Sequence, residues 1–257
     1  MSDRPPDLPS FFSLIALART GSTNEDLHRL AREGAAEGTL VWAQEQVRGR
    51  GRRGRGWSSP PGNLYLSLLL RPFVPPSEAA QIGFVAAVAL AETLESLLPP
   101  GRQLHCKWPN DLLIDGAKVS GILPEAEAVG GVVEAVVLGM GVNVASFPPD
   151  LPYKATSLLA AGAIVSVESV LESLAPRLLL WYRRWRKEGF LPIRRRWLDF
   201  ATGLGQPIEV RLEREILRGR FATLDLTGAL DLELADGRRR LITAGDVFHP
   251  AGPYPPS

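Results

Sequence analysis

The chain is nearly devoid of the residues that build disulfides and zinc sites: Cys106 stands alone, and three histidines are scattered over 257 residues. A lone cysteine excludes an intrachain disulfide framework, and such dispersed histidines leave no zinc cluster, so the reducing cytoplasm is the expected compartment. Long hydrophobic runs are missing too. The longest wholly apolar stretch, FVAAVALA (84–91), falls far short of the roughly 20 residues a spanning helix needs. The N-terminus, MSDRPPDLPS, is polar and proline-rich with no basic leader before an apolar run, which predicts a soluble protein without a secretory signal. Nor is there an excess of charge of either sign: 29 Lys and Arg oppose 28 Asp and Glu, for a net +1.

That balance is uneven along the chain. VRGRGRRGRGW (47–57) packs five arginines and four glycines into eleven residues, so everything else is net acidic. A dedicated nucleic-acid binder spreads Lys and Arg over a face to meet many phosphates; a single local concentration points instead to a small anion. Guanidinium groups grip carboxylate and phosphate oxygens bidentately, and glycine lets backbone approach a ligand closely. Two familiar phosphate loops are excluded. There is no GxxxxGK[ST], and the formal GxGxxG from Gly49 to Gly54 precedes a strand instead of opening a helix. A solvated basic linker and an RNA-binding arginine-glycine module remain as alternatives, the latter requiring steeply salt-dependent affinity.

The pattern around this loop predicts a strand over 13–20 and a helix beginning at Ser22, where Glu25 three residues on completes a capping box and Gly34 is the stop. Strands follow at 39–46 and 63–71, then a helix from Ser77 to about Leu98. Next come strands at 103–109 and 111–115, a hairpin through Asp115-Gly116 into KVSGILPEAEA, and a buried strand over 131–144. Helices are predicted at 166–187 and 192–200, the first with Leu174, Leu178, Trp181 and Trp185 as its apolar stripe and a solvated basic opposite face. After Gly203 only short β-like segments remain, which suits a small antiparallel barrel behind an α+β unit.

Several further features carry chemistry. Lys107, in KWPND, ends an apolar strand before a proline turn; buried, its ammonium needs an anionic partner, and otherwise it snorkels to the surface above a plain turn. Gly139-Met140-Gly141-Val142-Asn143 permits close ligand approach and a hydrogen bond from Asn143 to a base or sugar, or is a strand-end turn. Ser22-Thr23-Asn24 is either a helix cap or a set of neutral polar contacts. Cys106 beside His105 has no acid-base partner around it and reads as a small buried side chain.

Taken in order, S-T-N, Q-x-x-G-R-G-R-R-G-R-x-W, N-L-Y-L-S, K-W-P-N-D-L, K-x-x-G-I-L and G-x-G-x-N resemble the catalytic domain of biotin protein ligases, over residues 14–250. The resemblance implies an α+β fold, with a mixed or antiparallel sheet flanked by helices, of the class II synthetase/biotin ligase type, and a small C-terminal SH3-like β-barrel. The corresponding units are 1–203, with 1–10 a flexible tail, and 204–257.

It also implies ATP-dependent formation of biotinyl-5′-AMP and transfer of biotin to a lysine of a biotin carboxyl carrier domain of a carboxylase. Mg²⁺ would take part, with its ligands unassigned. A lipoate-type ligase on the same fold is the enzymatic alternative. Carried over by position, Ser22, Thr23, Asn24 and Gln46 surround the ureido ring. Gly49, Arg50, Gly51, Arg52, Lys107, Gly121 and Gly139 complete the biotin site, with Arg52 and Lys107 catalytic. Arg50, Arg52, Arg53, Arg55, Trp57, Lys107, Asn110 and Asn143 take the nucleotide, Trp57 covering adenine. The arginine-glycine loop in such enzymes is mobile until substrates bind.

Arg48, Gly56 and Ser120 depart from the usual pattern without removing a contact. Relatives that double as repressors carry an N-terminal winged helix, whereas this chain reaches Ser22 almost at once. A monofunctional ligase with neither nucleic acid nor membrane as partner is therefore expected, and a homodimer stays open.

Overall fold

A computed structural model of the chain describes residues 4–248. Seven strands form one sheet: β1 (Ser13–Thr20), β2 (Thr39–Gln46), β3 (Leu64–Leu70), β4 (Leu104–Lys107), β5 (Asp111–Ile114), β6 (Ala117–Val129) and β7 (Val132–Val142). Their order is β1-β2-β3-β7-β6-β5-β4. Only β1 and β2 are parallel, because helix α1 (Thr23–Arg32) carries the chain back between them; the other neighbours are antiparallel. Asp115 (φ 49°) and Gly116 (φ 79°) make the tight turn between β5 and β6, as the dipeptide predicts. β6 runs 13 residues, longer than the short strand expected.

Every residue of β3 is buried, which explains why LYLSLLL shows no alternation: both faces of the sheet are covered. Leu68 faces the larger core and Leu69 a smaller one with Leu27 of α1, Val41 and Val137. On the larger side lie α2 (Pro76–Ala79), α3 (Ile82–Leu97), α4 (Val167–Glu188) and α5 (Phe190–Asp199). The single helix expected from Ser77 breaks at Ala80-Gln81. There Gln81 spends its amide on tertiary contacts, accepting from Trp185 Nε1 at 2.8 Å and donating to the Leu226 carbonyl at 3.4 Å.

Together the stretch Pro76–Leu97 is 22 residues with mean hydropathy 1.3, long and apolar enough by composition to cross a membrane, which the 84–91 run alone is not. It is mostly buried, lying between the sheet and α4 and α5, as an all-round apolar helix in a protein core does. Leu174, Leu178, Trp181 and Trp185 of α4 are buried as the stripe predicts.

Residues 203–248 form a five-stranded antiparallel sheet of β8 (Pro207–Arg211), β9 (Ile216–Leu224), β10 (Leu230–Glu233), β11 (Arg239–Ile242) and β12 (Asp246–Phe248), in the order β11-β10-β9-β8-β12. It is not a detached appendage. Its Ile208, Val210, Phe221 and Leu230 belong to the same apolar core as α3 and α5, and Trp108 Nε1 donates to the Gly228 carbonyl at 3.1 Å. Residues 249–257 of the expected C-terminal unit, and 1–3 of the expected tail, lie outside the described part. Within that tail, Leu8 packs on the core and the Asp7 N–H donates to Glu172 at 2.9 Å.

Candidate active site

One face of the sheet, where β2, β3, β6 and β7 meet the N-terminus of α1, floors a cavity of about 520 Å³. Its polar end is assembled by α1. Ser22 occupies the N-cap position, yet its side chain makes no cap bond, and Glu25 turns to Arg48 (3.6 Å) and Arg50 (3.7 Å) instead; the capping box does not form. Ser22 is therefore left to line the cavity. The Thr23 N–H and hydroxyl both donate to Gln46 Oε1, at 2.9 and 3.1 Å, while Gln46 Nε2 donates to the Ser59 hydroxyl at 3.0 Å. Ser67 lies 2.7 Å from Thr23 Oγ1 and donates to Asn24 Oδ1 at 2.5 Å. Room for Asn24 comes from Gly139, where a Cβ would stand 2.3 Å from Asn24 Oδ1.

The arginine-glycine stretch is a two-armed flap over the opening, not an unpaired loop. Gln46 bridges Ser59 and Arg50 bridges Gly56, with Gly51 N–H donating to the Arg55 carbonyl at 2.7 Å and Trp57 N–H to that of Gly49 at 2.9 Å. Gly49 serves this crossing: a Cβ there would sit 2.3 Å from the Trp57 carbonyl oxygen. It does not line the cavity. Arg53 turns the tip at φ 55°.

Both tip arginines reach down to the C-terminal sheet. Arg53 Nη1 is 3.3 Å from Asp246 Oδ2, and Arg55 pairs with the same oxygen. The outer arm then lays the Trp57 indole against Gly121 and Gly141, where Cβ atoms would come within 3.2 and 2.7 Å of it. Its buried Nε1 has no hydrogen-bond partner among the described residues.

The opposite wall is cationic. Lys107 ends β4, and Lys118 of β6 sits 2.6 Å from Asp111 Oδ1 and 5.3 Å from the centroid of Trp57. Arg52 Nη1 donates to Asn110 Oδ1 at 3.2 Å, and Asn110 Nδ2 in turn donates to the Ile122 carbonyl at 2.8 Å. Burial lowers the pKa of Lys107, partly offset by Asp111, and lowers that of Arg52, partly offset by Asp246. Neither has a carboxylate within 4.0 Å among the described residues, although Lys107 Nζ lies over the Phe248 ring at 5.3 Å. Two half-buried cations without a paired anion make a place for one.

Cys106 is fully buried and burial pushes its thiol pKa far up, so it is no nucleophile. Among the described residues no group of three or more His, Cys, Asp or Glu side chains could hold a metal ion.

Residues 16–143 match the biotin/lipoate A/B protein ligase family, and residues 203–249 match the biotin protein ligase C terminal domain. Over 238 residues the chain is 42% identical to biotin--[acetyl-CoA-carboxylase] ligase of Paracoccus denitrificans, covering 90% of this chain and 98% of that protein. The chain belongs to the biotin/lipoate A/B protein ligase family. It is also 38% identical over 229 residues to the bifunctional ligase/repressor BirA of Bacillus subtilis, covering 87% of this chain and 70% of that protein. The structure of a biotin protein ligase from Aquifex aeolicus in complex with biotin and ATP superimposes with a TM-score of 0.78 at 28% identity, covering 92% of this chain and 97% of that one.

Against this ligase fold the sequence expectations sort cleanly. Ser22, Thr23, Asn24, Gln46, Arg50, Gly51, Arg52, Arg55, Trp57, Lys107, Asn110, Gly121 and Gly139 all line the cavity. Gly49 and Arg53 act on the flap's own shape and anchoring. Asn143 lies behind the wall: it is buried, its Nδ2 donates to the Thr156 carbonyl at 2.9 Å, and its carbonyl accepts from the Leu158 N–H, so it does not line the cavity.

Ser67, Lys118, Asp111, Arg211 and Asp246 were not anticipated. Ser67 had a signal, as the one polar residue in an apolar strand, and Lys118 stood in K-x-x-G-I-L. Asp246 had none, because its place at the cavity depends on how the second sheet docks.

Proposed function

We propose that this chain is an ATP-dependent biotin protein ligase. The observation that carries the reading is a single cavity with a neutral, pre-bonded polar end and an unpaired cationic end, roofed by an arginine flap. The polar end suits a ureido ring, whose carbonyl and two N–H groups need fixed neutral partners: Ser22, Thr23, Asn24 and Gln46. The cationic end suits the joining of two anions. A biotin carboxylate oxygen attacks the α-phosphorus of ATP, the bond to the bridging oxygen breaks, and pyrophosphate leaves. Arg52 and Lys107, with Arg50 and Gly51 beside them, neutralise the oxygens on which negative charge accumulates. Among the described residues no cluster of three acidic or imidazole side chains is built to hold Mg²⁺, which would come with the nucleotide and add to the neutralisation that Arg52 and Lys107 supply.

Trp57, on the floor formed by Gly121 and Gly141, supplies the flat surface for adenine. In the second step a lysine amine of a biotin carboxyl carrier domain attacks the acyl carbon, AMP departs, and the amine's proton passes to solvent. The adenylate is already activated, so the inert Cys106 is no obstacle and no protein nucleophile is required. Closing the flap keeps water away from the mixed anhydride. Assignment of the reaction to residues 1–203 and of flap anchoring to 204–257 is part of the proposal, as is a cytoplasmic location.

The test is direct. Purified protein supplied with biotin, Mg-ATP and a carrier domain should biotinylate one lysine; no labelling with all substrates present overturns the reading, and labelling with lipoate instead transfers it to the other branch of the family.

A further inference from the structure

Asn24 is nearly enclosed, and its amide can serve a ligand only if oxygen and nitrogen point the right way. What sets that orientation lies behind the cavity wall. Glu125 Oε2, on β6, accepts from Asn24 Nδ2 at 2.7 Å, with the Leu123 carbonyl a longer second acceptor at 3.4 Å, while Ser67 donates to Asn24 Oδ1 at 2.5 Å. The same carboxylate accepts from Arg50 Nη2 at 3.0 Å through each oxygen, and His28 Nε2 of α1 lies 3.3 Å from Oε2.

We propose that Glu125 is a positioning residue, resting on the ligase reading above, that fixes the Asn24 amide for the ring and ties it to Arg50, the first arginine of the flap inside the cavity. An ionised carboxylate only accepts hydrogen bonds, so it admits one of the two amide orientations and excludes the other. Its bonds to Asn24 and Arg50 are charge-assisted, and Arg50 is otherwise left with Glu25 at 3.7 Å. Glu125 is held ionised by these partners: the bond with His28 is the largest cause, with Asn24 and Arg50 adding to it against burial, and its pKa falls to about 2. One anion thus serves both the ring end and the roof, which links their occupancies. Glu125 does not itself line the cavity.

The test is a kinetic cycle on the full chain, with pyrophosphate release as the readout and biotin varied. Glu125→Gln should raise the biotin KM about tenfold, the loss of a charge-assisted bond. Added to Asn24→Ala it should worsen that variant less than about twofold, because both act through the same amide. Glu125→Asp, which keeps the charge but reaches only one partner, should fall between.

A purely structural role predicts losses that multiply in the double variant, and that result, or a wild-type KM in Glu125→Gln, overturns the proposal. If Glu125→Gln fails to fold, Glu125→Asp decides alone: a wild-type KM there rejects the role. Wild-type protein that releases no pyrophosphate with biotin overturns the ligase reading itself, an outcome distinct from an active wild type with multiplicative losses.

Discussion

Lys107 and Arg52 show at single-residue scale what a site for joining anions requires: cations already stripped of part of their water and, among the described residues, without a carboxylate within 4.0 Å. Lys107→Ala should slow adenylate formation by on the order of 10²–10³, the usual cost of deleting one pre-organised stabilising group, read as single-turnover pyrophosphate release. Arg52→Ala should instead let the intermediate escape, seen as pyrophosphate release that outruns labelling of the carrier. Glu125 bears on stability as well. Its folded pKa, about 2, lies below the ordinary 4.5, so its contribution is complete above about pH 4.5 and fades as pH falls toward 2. Melting curves of the wild type and Glu125→Gln should therefore converge across that window; a constant gap would contradict the assignment.

The strands and the flap show why glycines recur at this site. Each of Gly121, Gly139 and Gly141 removes a Cβ where another side chain must lie, and at Gly141 the competitor is the Trp57 indole at 2.7 Å. Gly141→Ala should displace the indole and raise the KM for ATP about tenfold or more while leaving biotin binding within twofold, which calorimetry with each substrate checks. At this scale the sequence was widely legible. Hydrophobic run length, the Asp115-Gly116 turn and the α4 stripe are local properties, and they named the strands and helices.

The capping box at Ser22 and Glu25 misled, because the arginines of a distant loop drew Glu25 away. Asn143 misled for a related reason: G-x-G-x-N tells which residues approach the floor but not on which side of it the last one turns. The flap's internal ladder was hidden as well, since glycines that tolerate any conformation also permit two strands to cross closely.

For the whole molecule, the second sheet is both core partner and anchor. With Ile208, Val210 and Phe221 sharing a core with α3 and α5, thermal unfolding followed by tryptophan fluorescence and by far-ultraviolet dichroism should show one coincident transition rather than two. Asp246→Asn should leave that transition nearly in place, because its ion pairs lie at the surface and are partly exposed. It should nonetheless free the flap, so trypsin should cut within residues 48–55 several times faster than in the wild type.

Asp246 opens β12, the last strand in chain order among the described residues, and it is the carboxylate that Arg53 and Arg55 share. A polypeptide still emerging from the ribosome holds the floor, both lysines and all five flap arginines before the group that fastens the cover has been made. Synthesis itself therefore withholds a fully secured reaction chamber until the second sheet has been made.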